Sequence, residues 1–298
     1  MKKVGLIIIC GLLLIGFSAL AQAHVLWINL YESYTHPPGH AMVSIGWGHT
    51  VPLDDFLKTE FGKMELDSFA LYDPDLNKQE IPQPDASVWK KEEKSLSGMK
   101  ICVGDVYARR LTLTENTKPG TYQVAAVGKK MFFTMYLDKN GKKRAVPKPM
   151  NEFKEAKKIL ASVYYQSWAK AFTAVSKWTE PKPLGFKLEL TPMTDLSKVH
   201  VGDLVPIKVT FMGRPLSCGG DTIYTMNATS PAFGNPDWFH LSSYIINGKA
   251  QFRVPAAGQW VVWVYVKQDV SLEKGPKELL GKCTSIYFAS SLSFNAKP

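Results

Sequence analysis

Residues 244–267, YIINGKAQFRVPAAGQWVVWVYVK, decide the fold class of this chain. Runs rich in β-branched and aromatic residues alternate there with short turn segments, which is typical of strands. Asn247-Gly248 favours a type I′ hairpin turn, because both central positions of that turn need a positive φ. The segment from Val254 through Pro255 to Trp260 is a second strand-turn-strand. The stretch therefore predicts antiparallel strands joined by tight turns.

The same pattern recurs along both halves of the chain. Strands are predicted in the first half at 25–30, 41–47, 68–72, 107–114 and 120–128, with 130–136 as a hairpin arm. In the second half they are predicted at 186–190, 204–211, 222–227, 244–246, 250–254, 258–267 and 284–294. Regular spacing of short strands predicts a mainly all-β fold with two β-sandwich domains, the second of them immunoglobulin-like.

Two stretches depart from that pattern. In residues 151–178 the apolar residues first follow helical spacing and later alternate, so we predict a helix of two or three turns that runs into a strand. Residues 179–185, TEPKPLG, contain two prolines that forbid a continuing helix or central strand. We therefore place a domain boundary there, with an N-terminal β-sandwich over 24–180 and a C-terminal one over 184–298.

The first 23 residues have the features of a signal peptide. Lys2 and Lys3 form a basic start, residues 4–20 are almost wholly apolar, and Ala21-Gln22-Ala23 is a small-x-small cleavage pattern. The apolar run is also short for a membrane span, which needs roughly 20 residues. We expect export to the periplasm with cleavage after Ala23, so that the mature protein begins with His24.

The charge of the chain limits its partners. The formal charge is +10, and removal of Lys2 and Lys3 with the leader takes it to +8. This balance can favour anionic membrane surfaces or an acidic partner. Nucleic acid is not expected as a partner, because the basic residues occur in scattered pairs and the compartment is wrong.

The cysteine count allows a disulfide but no thiolate metal site. The mature chain keeps Cys102, Cys218 and Cys283, and disulfides can persist in the periplasm. Cys218 and Cys283 lie in the same half and are the candidate pair, whereas the alternative is three free thiols. The sequence has no CxxC pair, so neither a thiol-redox motif nor a thiolate zinc site is indicated.

Histidines are concentrated at the mature N-terminus. Four of the six, His24, His36, His40 and His49, fall within the first 26 mature residues. Cleavage would free the α-amine of His24, so this residue can offer its amine and its ring Nδ1 to one metal ion. An α-amine ordinarily has a pKa of roughly 7.7 to 8.0 and a histidine about 6.5, so a competing cation can displace both protons near neutrality.

We therefore predict a metal site formed by His24, His40 and His49. Asp54 or Asp55 is expected to orient a ligating imidazole from behind, with helix capping as the alternative role. For His36, and for His200 and His240 in the second half, an ordinary structural role is expected.

Several short motifs carry a resemblance to a known family. They are His24-Val-Leu-Trp27, Gly39-His40, Gly46-Trp-Gly-His49, Pro52-Leu-Asp-Asp55, Ala169-Lys-Ala171, Gly185 with Leu188-Glu-Leu-Thr-Pro192, Gly202-Asp203 and Gly213-Arg-Pro-Leu216. Together they resemble the NikK/NikM-like periplasmic family associated with nickel and cobalt importers, over most of the mature chain. Ser217-Cys218-Gly219-Gly220 departs from the small residues that usually follow the Pro-Leu step.

The resemblance implies a fold and a function. It implies an N-terminal β-sandwich followed by an immunoglobulin-like or carboxypeptidase-regulatory-like module, and binding of nickel or a similar cation outside the inner membrane. Membrane components of a metal importer are then the expected partners. Nickel is inferred from the resemblance alone, because copper binds nitrogen ligands more tightly than nickel does. Ni(II) is thus the leading ion, with Co(II) or Cu(II) as alternatives.

Three functional hypotheses follow from these residues. The first is periplasmic capture of nickel or cobalt for an importer. The second is a structural or adhesive two-domain β-protein in which the histidines bind no metal. The third is a copper-binding protein or copper oxygenase that holds its ion through an N-terminal histidine. We do not expect the chain to be an enzyme, because it contains no G-x-S-x-G, HExxH or phosphate-binding glycine motif.

Overall fold

The structure, a computed structural model, is built almost entirely from strands. It describes residues 24–54, 58–59, 62–83, 90–103, 106–153, 156–234 and 239–298. Within these residues the helical segments are three single 3-10 turns, Met150–Glu152, Leu196–Lys198 and Lys277–Leu279. None of the helices there has the length and apolar character that a membrane crossing requires. The predicted all-β class is therefore confirmed.

The strands fall into two halves that are joined by the segment at 176–187. Those of the first half are Val25–Ser33 (β1), His40–Gly48 (β2), Lys58–Thr59 (β3), Gly62–Lys63 (β4), Leu66–Tyr72 (β5), Lys78–Glu80 (β6), Lys90–Leu96 (β7), Met99–Val103 (β8), Arg109–Thr112 (β9), Gly120–Gly128 (β10), Met131–Leu137 (β11), Lys143–Val146 (β12) and Lys158–Val175 (β13). Those of the second half are Leu188–Pro192 (β14), Leu204–Phe211 (β15), Arg214–Pro215 (β16), Thr225–Thr229 (β17), Leu241–Tyr244 (β18), Lys249–Arg253 (β19), Gly258–Asp269 (β20) and Ser285–Ala296 (β21).

One ten-stranded sheet runs through both halves. Its main path is β18-β17-β20-β21-β13-β10-β5-β6, and β11 with β12 forms a branch on β13. The halves join where β13 and β21 pair in parallel, from Val163 opposite Ser285 to Ala171 opposite Ser293. The division into two domains stays a prediction, and the sheet is continuous across it.

A three-stranded sheet, β1-β2-β9, covers one face of the large sheet. Apolar residues of β1 and β2 pack there against Phe69, Val124, Ala169 and other side chains of β5, β10 and β13. The start of β1 reaches further, because Val25 and Trp27 share a small core with Val261 and Trp263 of β20. The N-terminal strand thus rests on parts of the sheet from both halves.

A four-stranded sheet of β14, β15, β16 and β19 covers the opposite face. Alternation of side chains along a strand explains how one sheet supports both layers. On β13, Trp168 faces the C-terminal core whereas Ala169 faces the N-terminal core. On β20, Trp260 faces the C-terminal core whereas Val261 faces the small core that it shares with β1. The molecule therefore consists of three β layers, with the shared sheet in the middle.

The predicted helix in residues 151–178 is wrong. Those residues contain one 3-10 turn, Met150–Glu152, and then β13, an 18-residue strand. β13 pairs with β10 and β11 on one side and with β21 on the other. Apolar residues at helical spacing were misleading because the first half of β13 carries apolar side chains on both faces, such as Ile159 beside Leu160, so its sequence lacks a clean period of two.

The predicted Cys218–Cys283 disulfide is also wrong, since both thiols are free. Cys218 follows β16, and its sulfur lies 3.2 Å from both the backbone nitrogen and the carbonyl oxygen of Tyr224. Cys283 is buried just before β21, where burial raises the pKa of its thiol. The side chain of Cys102, in strand β8, lies outside the described part.

Candidate metal centre

The pairing of β1 with β2 brings His24 next to His49. The two strands are antiparallel, and Val25 lies opposite Gly48. His24 precedes the first residue of that pair and His49 follows the second, so both leave the sheet at the same end. Their ring centroids are 4.3 Å apart, with an interplanar angle of 49°. Two of the three predicted ligands therefore meet.

The third predicted ligand, His40, lies at the opposite end of the same sheet. It begins β2 and pairs with Ser33, the last residue of β1. Eight residues of extended chain separate it from Gly48, which corresponds to about 26 Å. Its Nδ1 lies 3.4 Å from a guanidinium nitrogen of Arg110, a cation that would repel a metal ion. The expected approach of His40 to His24 is therefore wrong, because only one end of β2 can lie beside the start of an antiparallel β1.

Trp47 forms the wall of the candidate site. Its ring centroid is 4.3 Å from that of His24, so the His24 ring lies against both Trp47 and His49. Glycine is required on either side of Trp47, for a different reason at each position. A Cβ at Gly46 would lie 2.0 Å from the Trp27 ring, whereas Gly48 has φ +133° and a Cβ there would lie 2.5 Å from a carboxylate oxygen of Asp54. The Gly-Trp-Gly-His motif thus packs two indoles and turns the chain towards His49.

Asp54 holds the backbone of the candidate ligand. Its Oδ2 accepts a 2.6 Å hydrogen bond from the backbone N–H of His49. A carboxylate at this position fixes the backbone from which the His49 side chain extends. It also adds negative charge near a site for a cation. Asp55, the other residue expected to support a ligand, lies outside the described residues.

The loop after His49 is tied to β1. The carbonyl oxygen of Pro52 accepts hydrogen bonds from Trp27 Nε1 at 3.1 Å and from Asn29 Nδ2 at 3.0 Å. Both donors are fully buried on β1, the strand that His24 precedes. The two sides of the candidate site are therefore held together by buried hydrogen bonds as well as by the strand ladder.

Tyr165 anchors His24 from the central sheet. Its hydroxyl donates a 2.9 Å hydrogen bond to the carbonyl oxygen of His24. Burial raises the pKa of Tyr165 well above the usual range of a tyrosine, so the hydroxyl keeps the proton that it donates. Because this bond acts on the carbonyl oxygen of His24, it positions the residue through its backbone and not through its ring.

The Tyr165 contact is the first step of a ladder along the outer edge of β1. Side chains of β21 donate to the next alternate carbonyls: Ser291 to Leu26 at 2.5 Å, Ser293 to Ile28, and Asn295 to Leu30 at 2.6 Å. This ladder was not predicted from the sequence, although the alternation of polar residues at 291, 293 and 295 in an apolar strand is a visible signal. The ladder thus supplies hydrogen-bond donors to the carbonyl groups of β1 that point away from β2.

Histidine and carboxylate side chains alone do not complete a metal site here. Among the described residues no group of three or more His, Cys, Asp or Glu side chains is placed to hold an ion. The remaining histidines lie elsewhere: His36 and His200 are exposed, and the ring of His240 packs edge-on to Trp263 at 5.3 Å. A metal at His24 and His49 would thus need a further ligand.

These features define an all-β protein in which the residue expected at the mature N-terminus meets a second histidine at the edge of a small sheet. The model of one family, described as a domain of unknown function (DUF4198), matches residues 21–268. The chain belongs to that family. No curated protein matches the chain.

Proposed function

We propose that the mature protein binds a divalent transition metal, Ni(II) or Co(II), through the α-amine and ring of His24 and the ring of His49. The observation that carries this proposal is the 4.3 Å separation of the two imidazole rings. A metal–imidazole bond is about 2.0–2.1 Å long, so two nitrogens that bind one ion lie at most about 4.2 Å apart. Rings whose centroids are 4.3 Å apart are close enough for each to direct one nitrogen at a shared ion.

The ligand set of the proposal consists of three nitrogen atoms. His24 supplies the amine and one ring nitrogen, and His49 supplies the third. Nitrogen ligands suit nickel, cobalt and copper, whereas calcium and magnesium prefer oxygen. Support for a rigid site comes from Tyr165 and Asp54, which hold the backbones of the two ligands. Solvent would fill the remaining coordination positions of the ion, so the ion could be transferred to another protein.

The role in transport rests on the resemblance to the NikK/NikM-like family. We propose that the protein works in the periplasm and passes the ion to the membrane components of an importer. Release is favoured when protons compete for the amine and the imidazoles, because metal binding requires their unprotonated forms. A carrier with this ligand set therefore loses affinity as the pH falls.

Isothermal titration of NiCl2 and CoCl2 into the mature protein tests the proposal. Binding of one ion per chain is expected, with a loss of at least about tenfold in His49→Ala, because one of three protein ligands is removed. His40→Ala is the matched control, since it removes a histidine from the same strand at the opposite end, and its affinity should equal that of the wild type. Absence of binding, or equal losses in the two variants, would reject the site.

Copper is a second candidate, because the two rings and one amine are a nitrogen-only set. Cu(II) binds such a set more tightly than nickel and favours tetragonal geometry. Formation of hydrogen peroxide with copper and a reductant, lost in His24→Ala, would support a copper oxygenase. A copper complex that forms no peroxide would leave metal capture as the function.

A further inference from the structure

The hairpin of β11 and β12 leaves one of its faces outside the core. On the packed face, Thr134 and Ser162 are fully buried and their hydroxyl oxygens are 2.8 Å apart. Register places Phe133, Met135 and Leu137 on the opposite face, because side chains alternate along a strand. Phe133 is 39% exposed, and Met135 and Leu137 are partly exposed. The hairpin therefore presents a strip of apolar residues to the surroundings.

Lysines border this strip. Leu137 pairs with Lys143 of β12 on one side and with Lys158 of β13 on the other, so both lysines share its face. Lys142 and Lys157 are adjacent to them in sequence, and all four are exposed. Two acidic groups near the hairpin in the described part of the chain are engaged with other cations: Asp138 with Arg144 at 3.0 Å, and Glu152 with Lys148 at 3.8 Å. Lysines thus lie on both sides of the apolar strip at its Leu137 end.

We propose that this basic hairpin face, Phe133, Met135, Leu137, Lys143 and Lys158, together with Lys142 in the adjoining turn, binds the protein to an anionic phospholipid surface. Lysine ammonium groups would contact lipid phosphates, while the apolar strip enters the interface between headgroups and acyl chains. Lysines carry long apolar stems and reach such an interface easily. The lipid surface is favoured over an acidic protein because apolar and basic side chains lie together on an edge hairpin, and a lipid interface accepts both without a complementary pocket.

The expected strength follows from the number of charges. Each lysine close to an anionic membrane contributes about fivefold to binding, and the contribution disappears beyond a Debye length of about 10 Å at 0.1 M salt. Exchange of three lysines for glutamate should therefore reduce binding at least about 100-fold. Phe133→Ser should reduce it by about tenfold without any change of charge, because the apolar ring no longer leaves water.

Flotation of the mature protein with large unilamellar vesicles tests this assignment. At about 50 mM salt, binding is expected to phosphatidylcholine vesicles that contain about 30% phosphatidylglycerol, and not to pure phosphatidylcholine, since only the former attract lysines. The test variant is Lys142→Glu with Lys143→Glu and Lys158→Glu. The control, Lys208→Glu with Lys249→Glu and Lys274→Glu, changes the net charge equally at exposed positions of the second half.

The assignment requires loss of vesicle binding in the test variant and retention in the control. Equal loss in both variants would mean that net charge alone acts, and would overturn it. Failure to bind protein-free anionic vesicles would also overturn it, and binding only to vesicles that carry membrane proteins would point to an acidic protein partner instead. Circular dichroism verifies that each variant is folded. The outcome is independent of metal binding.

Discussion

The hydroxyl of Tyr165, in the longest strand of the central sheet, donates its hydrogen bond to the carbonyl oxygen of His24, 141 residues earlier. Tyr165→Phe removes only this donor. We expect a loss of about 1–2 kcal/mol in the free energy of unfolding, because a carbonyl loses its partner. Without this hydrogen bond the backbone of His24 is held less firmly, so nickel binding should weaken by up to about tenfold.

Urea unfolding and nickel titration of the Tyr165→Phe protein measure these two effects. Tyr122→Phe is the control, because its hydroxyl makes an exposed hydrogen bond of 3.0 Å to the Lys118 carbonyl, which water can replace. Its stability should change by less than about 0.5 kcal/mol. If Tyr165→Phe and Tyr122→Phe behave alike, Tyr165 does not anchor the N-terminus.

The serine ladder between β21 and β1 gives a second prediction. Ser291→Ala leaves the carbonyl of Leu26 without its donor and should lower the free energy of unfolding by about 1–3 kcal/mol. Ser290→Ala is a neighbouring control, because the buried hydroxyl of Ser290 has no hydrogen-bond partner among the described residues. That substitution should be neutral or slightly stabilising. Guanidinium denaturation distinguishes the two variants, and equal midpoints would argue against the ladder.

A buried ion pair at the junction of the two halves gives a third prediction. Lys170 Nζ lies 2.8 Å from a carboxylate oxygen of Glu189, and both side chains are almost fully buried. Burial lowers the pKa of Lys170, and the neighbouring carboxylate opposes that shift. Lys170→Met should cost about 3–5 kcal/mol, because the carboxylate would remain buried without its cation.

Glu189 has a second role that makes the pair asymmetric. Its carboxylate also accepts hydrogen bonds from the backbone N–H groups of Leu184, Gly185 and Phe186. Glu189→Gln in the Lys170→Met background removes the unpaired charge and keeps an acceptor, so part of the stability should return in urea unfolding. Lys118→Met, at an exposed pair with Asp75, should leave the stability nearly unchanged, because solvent screens that pair. No recovery in the double variant would contradict this description.

The free thiols give a fourth prediction. Under native conditions Cys218, which is partly exposed, should react with iodoacetamide before Cys283. Cys283 is buried and its thiol has a raised pKa, so it forms little of the reactive thiolate. In denaturant without reductant both should be alkylated, which peptide mapping can verify. A cysteine that is labelled only after reduction would mean that the predicted disulfide forms after all.

The sequence predicted the parts of this fold that depend on local patterns. The Asn247-Gly248 turn and the apolar runs of β2 and β10 are local signals, and β2, β10 and β19 were found within one residue of their true bounds. The strand predicted at 244–246 was displaced, because β18 spans Leu241–Tyr244. β13 was misread in its first half because apolar side chains stand on both faces there, so the period of two is hidden although several of them are partly exposed. The sheet shared by the two halves was not foreseen, since the parallel pairing of β13 with β21 joins segments more than 100 residues apart.

The candidate site was predicted in part for the same reason. Clustering of histidines in the sequence pointed to His24 and His49, but which histidines meet depends on strand register. Once Val25 is paired with Gly48, His49 must lie beside His24 and His40 must lie at the far end. Tyr165 comes from a distant strand, so no spacing in the sequence could reveal it.

The central claim is that the α-amine of His24 is a metal ligand. Titration of NiCl2 into protein that begins at His24, and into protein that retains Ala23 ahead of it, tests this claim most directly. In the second protein the nitrogen of His24 is an amide, so we predict at least about 100-fold weaker binding, since a ligand and a chelate ring are lost. Equal affinity in the two proteins would contradict the proposed site.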